Sequence, residues 1–162
     1  MAGAEYAMCA PCLFGLEGIA ADELRRLGMQ GVRAENGRVL FDGSAGDMAR
    51  ANICLATAER VLIVAGVTRA DTYDMLFEGV RAMPWERFIP RDGQFPVSGH
   101  SLNSALHSVP DCQRIIKKAV ARALTEKYGV ERHPETGARY KIRFAIMNDT
   151  ASVYLDTTGA GL

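Results

Sequence analysis

Positive charge is concentrated in one region of this sequence, where it could bind phosphate groups. Over the 162 residues, nineteen Lys and Arg balance nineteen Asp and Glu, so the composition alone gives no sign of a nucleic-acid partner. Between residues 113 and 144, however, nine Lys or Arg accompany only three acidic residues, and the rest of the chain carries the compensating negative charge. This uneven distribution is typical of a protein that binds nucleic acid through one surface.

The spacing of these cations predicts two basic rows. On one face of a predicted helix over residues 108–128, four cations lie together: Arg114, Lys117, Lys118 and Arg122. Three further cations alternate with apolar residues, as side chains on one face of a strand do: Arg139, Lys141 and Arg143. A polar loop before the helix adds short hydrogen-bonding side chains: Ser101, Asn103 and Ser104. We interpret all ten residues as candidate RNA contacts. Ordinary solvated faces would show the same pattern, and the spacing leaves that alternative open.

Other patterns that could support chemistry are incomplete. Cys9 and Cys12 form a CxxC pair, but Cys54 and Cys112 are single and distant, so no second zinc-ligand pair is present. Redox chemistry at the CxxC pair remains an alternative to buried thiols at a strand end. The three histidines are scattered, and no phosphate-loop, dinucleotide-binding or nucleophile-elbow motif occurs. The sequence therefore predicts no catalytic residue, metal site or cofactor site in this chain.

Hydrophobic periodicity and turn signals predict an α+β fold in two parts. In the first part we expect strand 6–11, helix 15–28, strands 31–35 and 38–42, a helix from Ser44 or Asp47 to residue 56, and strand 60–67. The turn between the two middle strands, Asn36-Gly37, is expected to have positive φ at both positions. This βαββαβ order is that of the ferredoxin-like unit.

The second part combines helices with further strands. Its predicted elements are helices 71–83 and 108–128 and strands 94–100, 139–147 and 151–156, with a tight turn at Asn148-Asp149. The core face of the first helix should carry Met75, Leu76, Val80 and Met83. No apolar stretch approaches the roughly 20 residues of a membrane span, and the N-terminus lacks a signal-peptide pattern. We therefore expect a cytoplasmic protein with no membrane partner.

Motifs throughout the chain resemble the N-terminal half of bacterial THUMP-domain RNA methyltransferases, which act on guanine N2 of large-subunit ribosomal RNA. The resembling stretches include Ala-Pro-Cys-Leu-Phe-Gly-Leu-Glu at 10–17, together with residues 22–24, 36–39, 50–52, 57–61, 77–80, 84–85, 95–99, 108–113 and 156–162. In this family Cys12 occupies a usual cysteine position, whereas Cys9 is incidental. The resemblance implies a ferredoxin-like domain over residues 1–70 and a THUMP domain over 71–158, which could begin as early as residue 45. Residues 159–162 would begin the linker to a Rossmann-like domain outside this chain that binds S-adenosylmethionine.

The resemblance also implies a function. This segment would bind structured RNA, most readily ribosomal RNA, and present it to the catalytic domain in cis. Relatives tend to carry lysines near the positions of His100, Asn103 and Ala105, so the helix row is a stronger candidate than the polar loop. Charge reversal of Lys117, Lys118 and Arg122 together should weaken RNA binding without unfolding the domain. The alternatives are a tRNA-modifying enzyme, or a protein-docking or dimerisation module using Trp85 and Phe88.

Overall fold

The helices and strands follow the periodicity of the sequence closely. The computed structural model describes residues 5–55 and 60–157. Its elements are β1 (Tyr6–Pro11), α1 (Glu17–Arg26), β2 (Gln30–Glu35), β3 (Arg38–Gly43), α2 (Ala45–Cys54), β4 (Leu62–Arg69), α3 (Tyr73–Arg81), a short 3₁₀ helix (Trp85–Arg87), β5 (Val97–Leu102), α4 (Val109–Tyr128), β6 (Ile142–Met147) and β7 (Thr150–Asp156). These elements confirm the predicted α+β class and the βαββαβ order of the first part.

The described residues form two units, and the first comprises residues 5–55, 60–64 and 156–157. In this unit β1 pairs antiparallel with both β3 and β4, and β2 pairs antiparallel with β3. Helix α2 begins at a capping box, in which the Ser44 side chain accepts from Asp47 N and the Asp47 carboxylate accepts from Ser44 N. Leu24 of α1 and Ala51 of α2 are fully buried, so both helices contribute to the core of this unit.

The second unit comprises residues 65–155 and contains a mixed sheet. Strand β5 pairs parallel with β6, whereas β6 pairs antiparallel with β7. Both positions of the predicted turn between β6 and β7 have positive φ, 50° at Asn148 and 60° at Asp149. The first-unit hairpin differs, because Gly37 alone of its two turn residues has positive φ, at 76°. The Gly37 peptide is held by the Glu17 carboxylate and by Cys12 N–H, which fixes a different turn geometry.

One predicted core position and one predicted docking patch differ in the structure. Met75 is 38% exposed and lies outside the core face of α3, whereas Leu76 and Val80 are fully buried. Trp85 is also fully buried, and its indole N–H donates to the carbonyl oxygen of Val80 at 2.7 Å. Since Phe88 is buried as well, a docking patch built on these two aromatic residues is wrong. The 3₁₀ helix that follows α3 turns both rings inward.

The cysteines of the described residues are not paired with one another. Burial, with the Glu17 carboxylate, raises the pKa of Cys12, which disfavours the reactive thiolate. Over residues 5–55 and 60–157, no group of three or more His, Cys, Asp or Glu could hold a metal ion. Within the same ranges, no helix has both the length and the apolar surface to cross a membrane.

Candidate nucleic-acid interface

Helix α4 positions the predicted row of cations. It is 20 residues long, has Pro110 in its first turn and ends at Gly129, whose left-handed backbone (φ 67°) suits glycine. One side of the helix is buried in the core, with Ile116, Val120 and Leu124 fully covered. The cations fall on the other side, where Lys118 and Arg122 are exposed. The amphipathic pattern of the sequence therefore places them as predicted.

Two of the four cations are already paired with carboxylates. Arg114 Nη2 lies 2.6 Å from Asp111 Oδ1, in an exposed pair within the first turns of α4. Lys117 Nζ lies 2.6 Å from Glu135 Oε1 and donates to the carbonyl oxygen of Phe95 at 3.2 Å. The same ammonium is 4.3 Å from the centroid of the Phe95 ring. Lys117 thus joins α4 to the segments that contain Phe95 and Glu135, and the Glu135 carboxylate largely compensates its charge.

Glu135 is ionised in this arrangement. Partial burial alone would raise the pKa of its carboxyl group, but hydrogen bonds from Lys117 and from the backbone N–H of Phe95 outweigh that effect. The pKa of Glu135 is consequently lowered. A carboxylate therefore stays beside the basic row at neutral pH.

A depression of about 380 Å³ opens beside α4. The side chains that line it come from α3, Phe95, α4 and residues 131–135. They include the carboxylates Glu131 and Glu135 as well as Phe77, Lys118, Arg122, Arg132 and His133. We call Lys118, Arg122 and Arg132 the cationic rim. Within the described part of the chain, none of these three makes an ion pair. The lining as a whole has four Lys or Arg (117, 118, 122 and 132) and two Glu (131 and 135), so the concave surface keeps a surplus of positive charge, which suits phosphate groups.

Arg132 was not among the predicted site residues. Its neighbourhood, Glu131-Arg-His-Pro-Glu135, has neither helical nor strand periodicity, so nothing local indicated which way it points. Its place in the region of surplus positive charge was the one available signal. The fold brings it to Lys118 and Arg122 because residues 131–135 return along α4, where Glu135 pairs with Lys117.

The second predicted row is not on the same surface. Strand β6 begins only at Ile142, so Arg139 and Lys141 precede it, although both are exposed and alternate with buried Tyr140 and Ile142. Further along, Ile142 is paired with Val97 and Arg143 with Ser98.

The direction of the strand row, Arg139, Lys141 and Arg143, follows from which face of the sheet α4 covers. Alternation places Phe95, Val97 and Ile142 on one face of the sheet. Phe95 contacts Lys117 of α4, so that face is the one covered by the helix. Arg143 therefore points to the opposite face, and the structure does not bring it to the helix row.

The predicted polar loop uses two of its three side chains to hold its own shape. The Ser101 hydroxyl donates to the carbonyl oxygen of Leu106 at 2.6 Å. The Ser104 hydroxyl donates to the carbonyl oxygen of Leu102 at 2.8 Å and accepts from Asp149 N at 3.0 Å. Asn103 is exposed, with φ at 47°. RNA contacts by this loop stay a prediction, and they would compete with bonds that already order it.

Two family models match the chain. The RlmL ferredoxin-like domain matches residues 7–62, and the THUMP domain matches residues 70–156. Together they confirm the order of domains that the sequence motifs implied, a ferredoxin-like domain followed by a THUMP domain.

Curated relatives share most of this chain but extend well beyond it. The chain is 42% identical over 160 residues to YpsC of Bacillus subtilis (strain 168), named as a candidate RNA methyltransferase; the match covers 98% of this chain and 41% of YpsC. The chain is also 27% identical over 121 residues to ribosomal RNA large subunit methyltransferase K/L of Cellvibrio japonicus. This match covers 75% of the chain and 16% of that protein. The chain thus spans less than half the length of these relatives.

Solved structures show the same relationship. A structure from Listeria monocytogenes, described as a predicted N6-adenine-specific DNA methylase, matches with a TM-score of 0.92 and 46% identity, over 97% of this chain and 41% of that one. SMU.472, a candidate methyltransferase complexed with SAH, matches with a TM-score of 0.91 and 38% identity, over 96% of this chain and 42% of that one. The names of these relatives differ on whether the nucleic acid is RNA or DNA.

Proposed function

The chain belongs to the THUMP-domain family, and from that premise we propose that it is the RNA-binding part of an S-adenosylmethionine-dependent RNA methyltransferase. The observation that carries the proposal is the cationic rim, three cations that make no ion pair within the described residues and lie around a concave surface with a surplus of positive charge. In this function the rim holds phosphate groups of a folded RNA. A catalytic domain elsewhere in the full-length protein then modifies a base that this segment presents to it.

The finer parts of the proposal rest on the relatives. The similarity to a protein named ribosomal RNA large subunit methyltransferase K/L supports ribosomal RNA as the partner. Guanine N2 as the methylated atom follows from the family that the sequence motifs resemble. The SAH complex of SMU.472 supports S-adenosylmethionine as the cofactor of the full-length protein, and we assign none of its contacts to this chain. A cytoplasmic location fits a ribosomal RNA partner and is part of the same proposal.

The domain boundaries are also part of the proposal. We place the ferredoxin-like domain at residues 1–70, the THUMP domain at 71–158, and the start of a linker to the catalytic domain at 159–162. Residues 158–162 lie outside the described residues. The lengths of the relatives, of which this chain covers 41% and 16%, support a further domain in the full-length protein.

A binding titration of this chain tests the proposal directly. Matched lengths of large-subunit ribosomal RNA, transfer RNA and duplex DNA would be compared between about 50 and 200 mM salt, because phosphate contacts make affinity fall steeply with salt. We expect the ribosomal RNA to bind best, with a linear fall of log K against log salt. Binding of DNA as tightly as RNA, or no RNA binding at the lowest salt, contradicts RNA as the partner. Preference for transfer RNA would favour the tRNA-enzyme alternative.

The methylated atom requires the full-length protein. With S-adenosylmethionine and ribosomal RNA as substrates, we expect mass spectrometry of the digested RNA to show N2-methylguanosine. A methyl group on adenine, or on a different atom of guanine, contradicts the finer assignment and leaves the RNA-binding function standing.

Replacing Glu135 by Gln is expected to raise RNA affinity about threefold. The substitution removes the negative charge that compensates Lys117, while the amide oxygen can still accept from Phe95 N. Because the pKa of Glu135 is lowered, wild type and variant should differ at neutral pH and converge as the pH falls through that lowered pKa. The matched control is Glu35→Gln, which removes the carboxylate paired with Arg38 in the first unit. Equal gains in both variants would show a general charge effect.

A further inference from the structure

One end of the first unit carries exposed apolar side chains. Leu13 is 73% exposed, Phe14 81%, Ile19 53% and Ile53 83%. Leu13 and Phe14 follow β1, Ile19 lies in the first turn of α1, and Ile53 is next to the last residue of α2. Single apolar residues on a surface are ordinary, but these four are all the large apolar side chains that are exposed on the described residues of this unit. We call them the apolar end.

The register of the strands brings these residues to the same end of the unit. Strand β1 is antiparallel to β4, with Cys9 opposite Leu62, so the end of β1 lies beside the start of β4. Helix α1 follows β1 and begins at that end. The side chain of Asn52 accepts from Val61 N, so α2 finishes there as well. Three segments that are distant in the sequence therefore contribute to the apolar end.

Hydrogen bonds hold the loop after β1 in one arrangement. Cys12 N–H donates to the carbonyl oxygen of Gly37 at 2.9 Å. The Glu17 carboxylate accepts from Gly15 N at 2.9 Å and from Gly37 N at 3.0 Å. The Phe14 ring lies over Gly37, where an added Cβ atom would be 3.6 Å from the ring. The loop is thus ordered before anything binds, which lowers the entropic cost of covering its side chains.

The chain returns to this end of the first unit after it has formed the second unit. The Thr157 hydroxyl donates to the carbonyl oxygen of Val61 and accepts from Asn52 Nδ2 at 2.9 Å. The linker proposed for residues 159–162 would therefore begin beside the apolar end. YpsC, of which the match covers 41%, is long enough to include a further domain. A domain tethered at this place would meet the apolar end at a high effective concentration.

The chemistry of the apolar end favours a protein surface over RNA. Three of its four side chains are aliphatic, and aliphatic groups do not stack on bases as aromatic rings do. Two arginines at the same end are paired with carboxylates, Arg38 with Glu35 at 2.7 Å and Arg60 with Asp156 at 2.8 Å. These arginines offer little uncompensated charge to phosphate groups.

Building on the proposed function, we propose that the catalytic domain of the full-length protein docks on the apolar end. Docking buries Leu13 and Phe14, and the burial of two large side chains favours the docked state by roughly tenfold or more. It also fixes the first unit against the catalytic domain. RNA held by this segment then approaches the methylating site in one orientation.

Photo-cross-linking of the full-length protein identifies what covers Phe14. With benzoylphenylalanine in place of Phe14, we expect ultraviolet light to join position 14 to peptides that follow residue 162, mapped by mass spectrometry. Met147, which is 49% exposed in the second unit, is the control position and should give a much lower yield. Cross-links to added RNA or between isotopically distinct copies in place of these, or equal yields at the two positions, overturn the inference.

Replacing Leu13 and Phe14 together by Ser separates docking from RNA binding. In the full-length protein we expect the rate of RNA methylation to fall roughly tenfold while RNA affinity stays unchanged. The fold should survive because both side chains are exposed. The control replaces Met75 and Met147, exposed apolar residues of the second unit, by Ser and should methylate as wild type does. An unchanged rate in the Leu13→Ser, Phe14→Ser protein, or a loss of its RNA affinity, contradicts docking.

The outcomes separate this inference from the proposed function. Methylation by the wild-type protein without a cross-link from position 14 to the later peptides overturns docking and leaves the proposed function standing. Failure of the wild-type protein to methylate any RNA overturns the proposed function. The cross-link then still decides whether the domain that follows residue 162 docks on the apolar end.

Discussion

Replacing Lys118, Arg122 and Arg132 together by Glu is expected to reduce RNA affinity by roughly two orders of magnitude, since each cation is replaced by an anion facing phosphate. The slope of log K against log salt should also fall by about 2 to 3, because three phosphate contacts are lost. The fold should survive, since these side chains make no ion pair within the described residues. Fluorescence anisotropy with labelled ribosomal RNA, at several salt concentrations, measures both quantities.

This triple variant tests the phosphate contacts more directly than the charge reversal of Lys117, Lys118 and Arg122 that the sequence suggested. Lys117 belonged to that earlier set, but its replacement would also break the contacts to Glu135 and Phe95. Any loss of RNA binding could then reflect a disturbed segment and not a lost phosphate contact. Arg132 takes its place in the cationic rim.

An equal change of charge elsewhere provides the control. Arg25, Arg26 and Lys127 can be replaced by Glu. The first two lie on α1, and Lys127 is about two and a half helical turns beyond Lys118 on α4, which places it on the opposite side of that helix. We expect this variant to lose only a few-fold in affinity through net charge. Similar losses in the two variants would contradict a localised site on the cationic rim.

Replacing Arg60 by Met is expected to lower the free energy of unfolding by about 3 kcal/mol. Arg60 Nη1 lies 2.8 Å from Asp156 Oδ2, and the Asp156 side chain is completely buried. Removing the guanidinium is costly because it takes away the cation that offsets the charge of a buried carboxylate. For a chain of this size the loss corresponds to a fall in Tm of roughly 10 °C.

The pair is part of a larger polar network in the first unit. Asn52 accepts from Val61 N and donates to the Thr157 hydroxyl, which donates in turn to the carbonyl oxygen of Val61. These bonds join three segments of the first unit, those around Asn52, Val61 and Thr157. RNA affinity measured well below the Tm should be unchanged, since none of these residues lies on the cationic rim.

Arg25→Met is the matched control for this prediction. Arg25 pairs with Asp22 at 3.1 Å, but both side chains are more than half exposed, and such pairs contribute at most about 0.5 kcal/mol. Thermal unfolding of both variants, followed by circular dichroism, compares the two ion pairs. A Tm for Arg60→Met as high as that of Arg25→Met would contradict the importance of the buried pair.

Local patterns were enough to predict most elements and the helix row. Apolar spacing located α4 and its buried face, and the same spacing placed Lys118 and Arg122 on the exposed side. The Asn148-Asp149 turn was also predictable, because a two-residue hairpin loop between alternating strands requires left-handed backbone that Asn and Asp tolerate. Each of these features depends on residues within a few positions of one another.

Contacts between distant segments could not be predicted in this way. The pairing of Lys117 with Glu135, 18 positions away, decides that one predicted cation is compensated. The parallel register of β5 and β6 decides that Arg143 points away from α4. Helical or strand spacing predicts which side chains share a face. It does not predict which distant segment covers that face.

The sequence by itself therefore determined the α+β class, the ferredoxin-like and THUMP order and the basic face of α4, because periodicity and family motifs are local properties of the chain. Only the tertiary structure decided which cations meet at one depression and that Trp85 is core and not surface. Those features arise where segments far apart in the chain pack together, and there the surroundings of a side chain, and not its type, decide what it can bind.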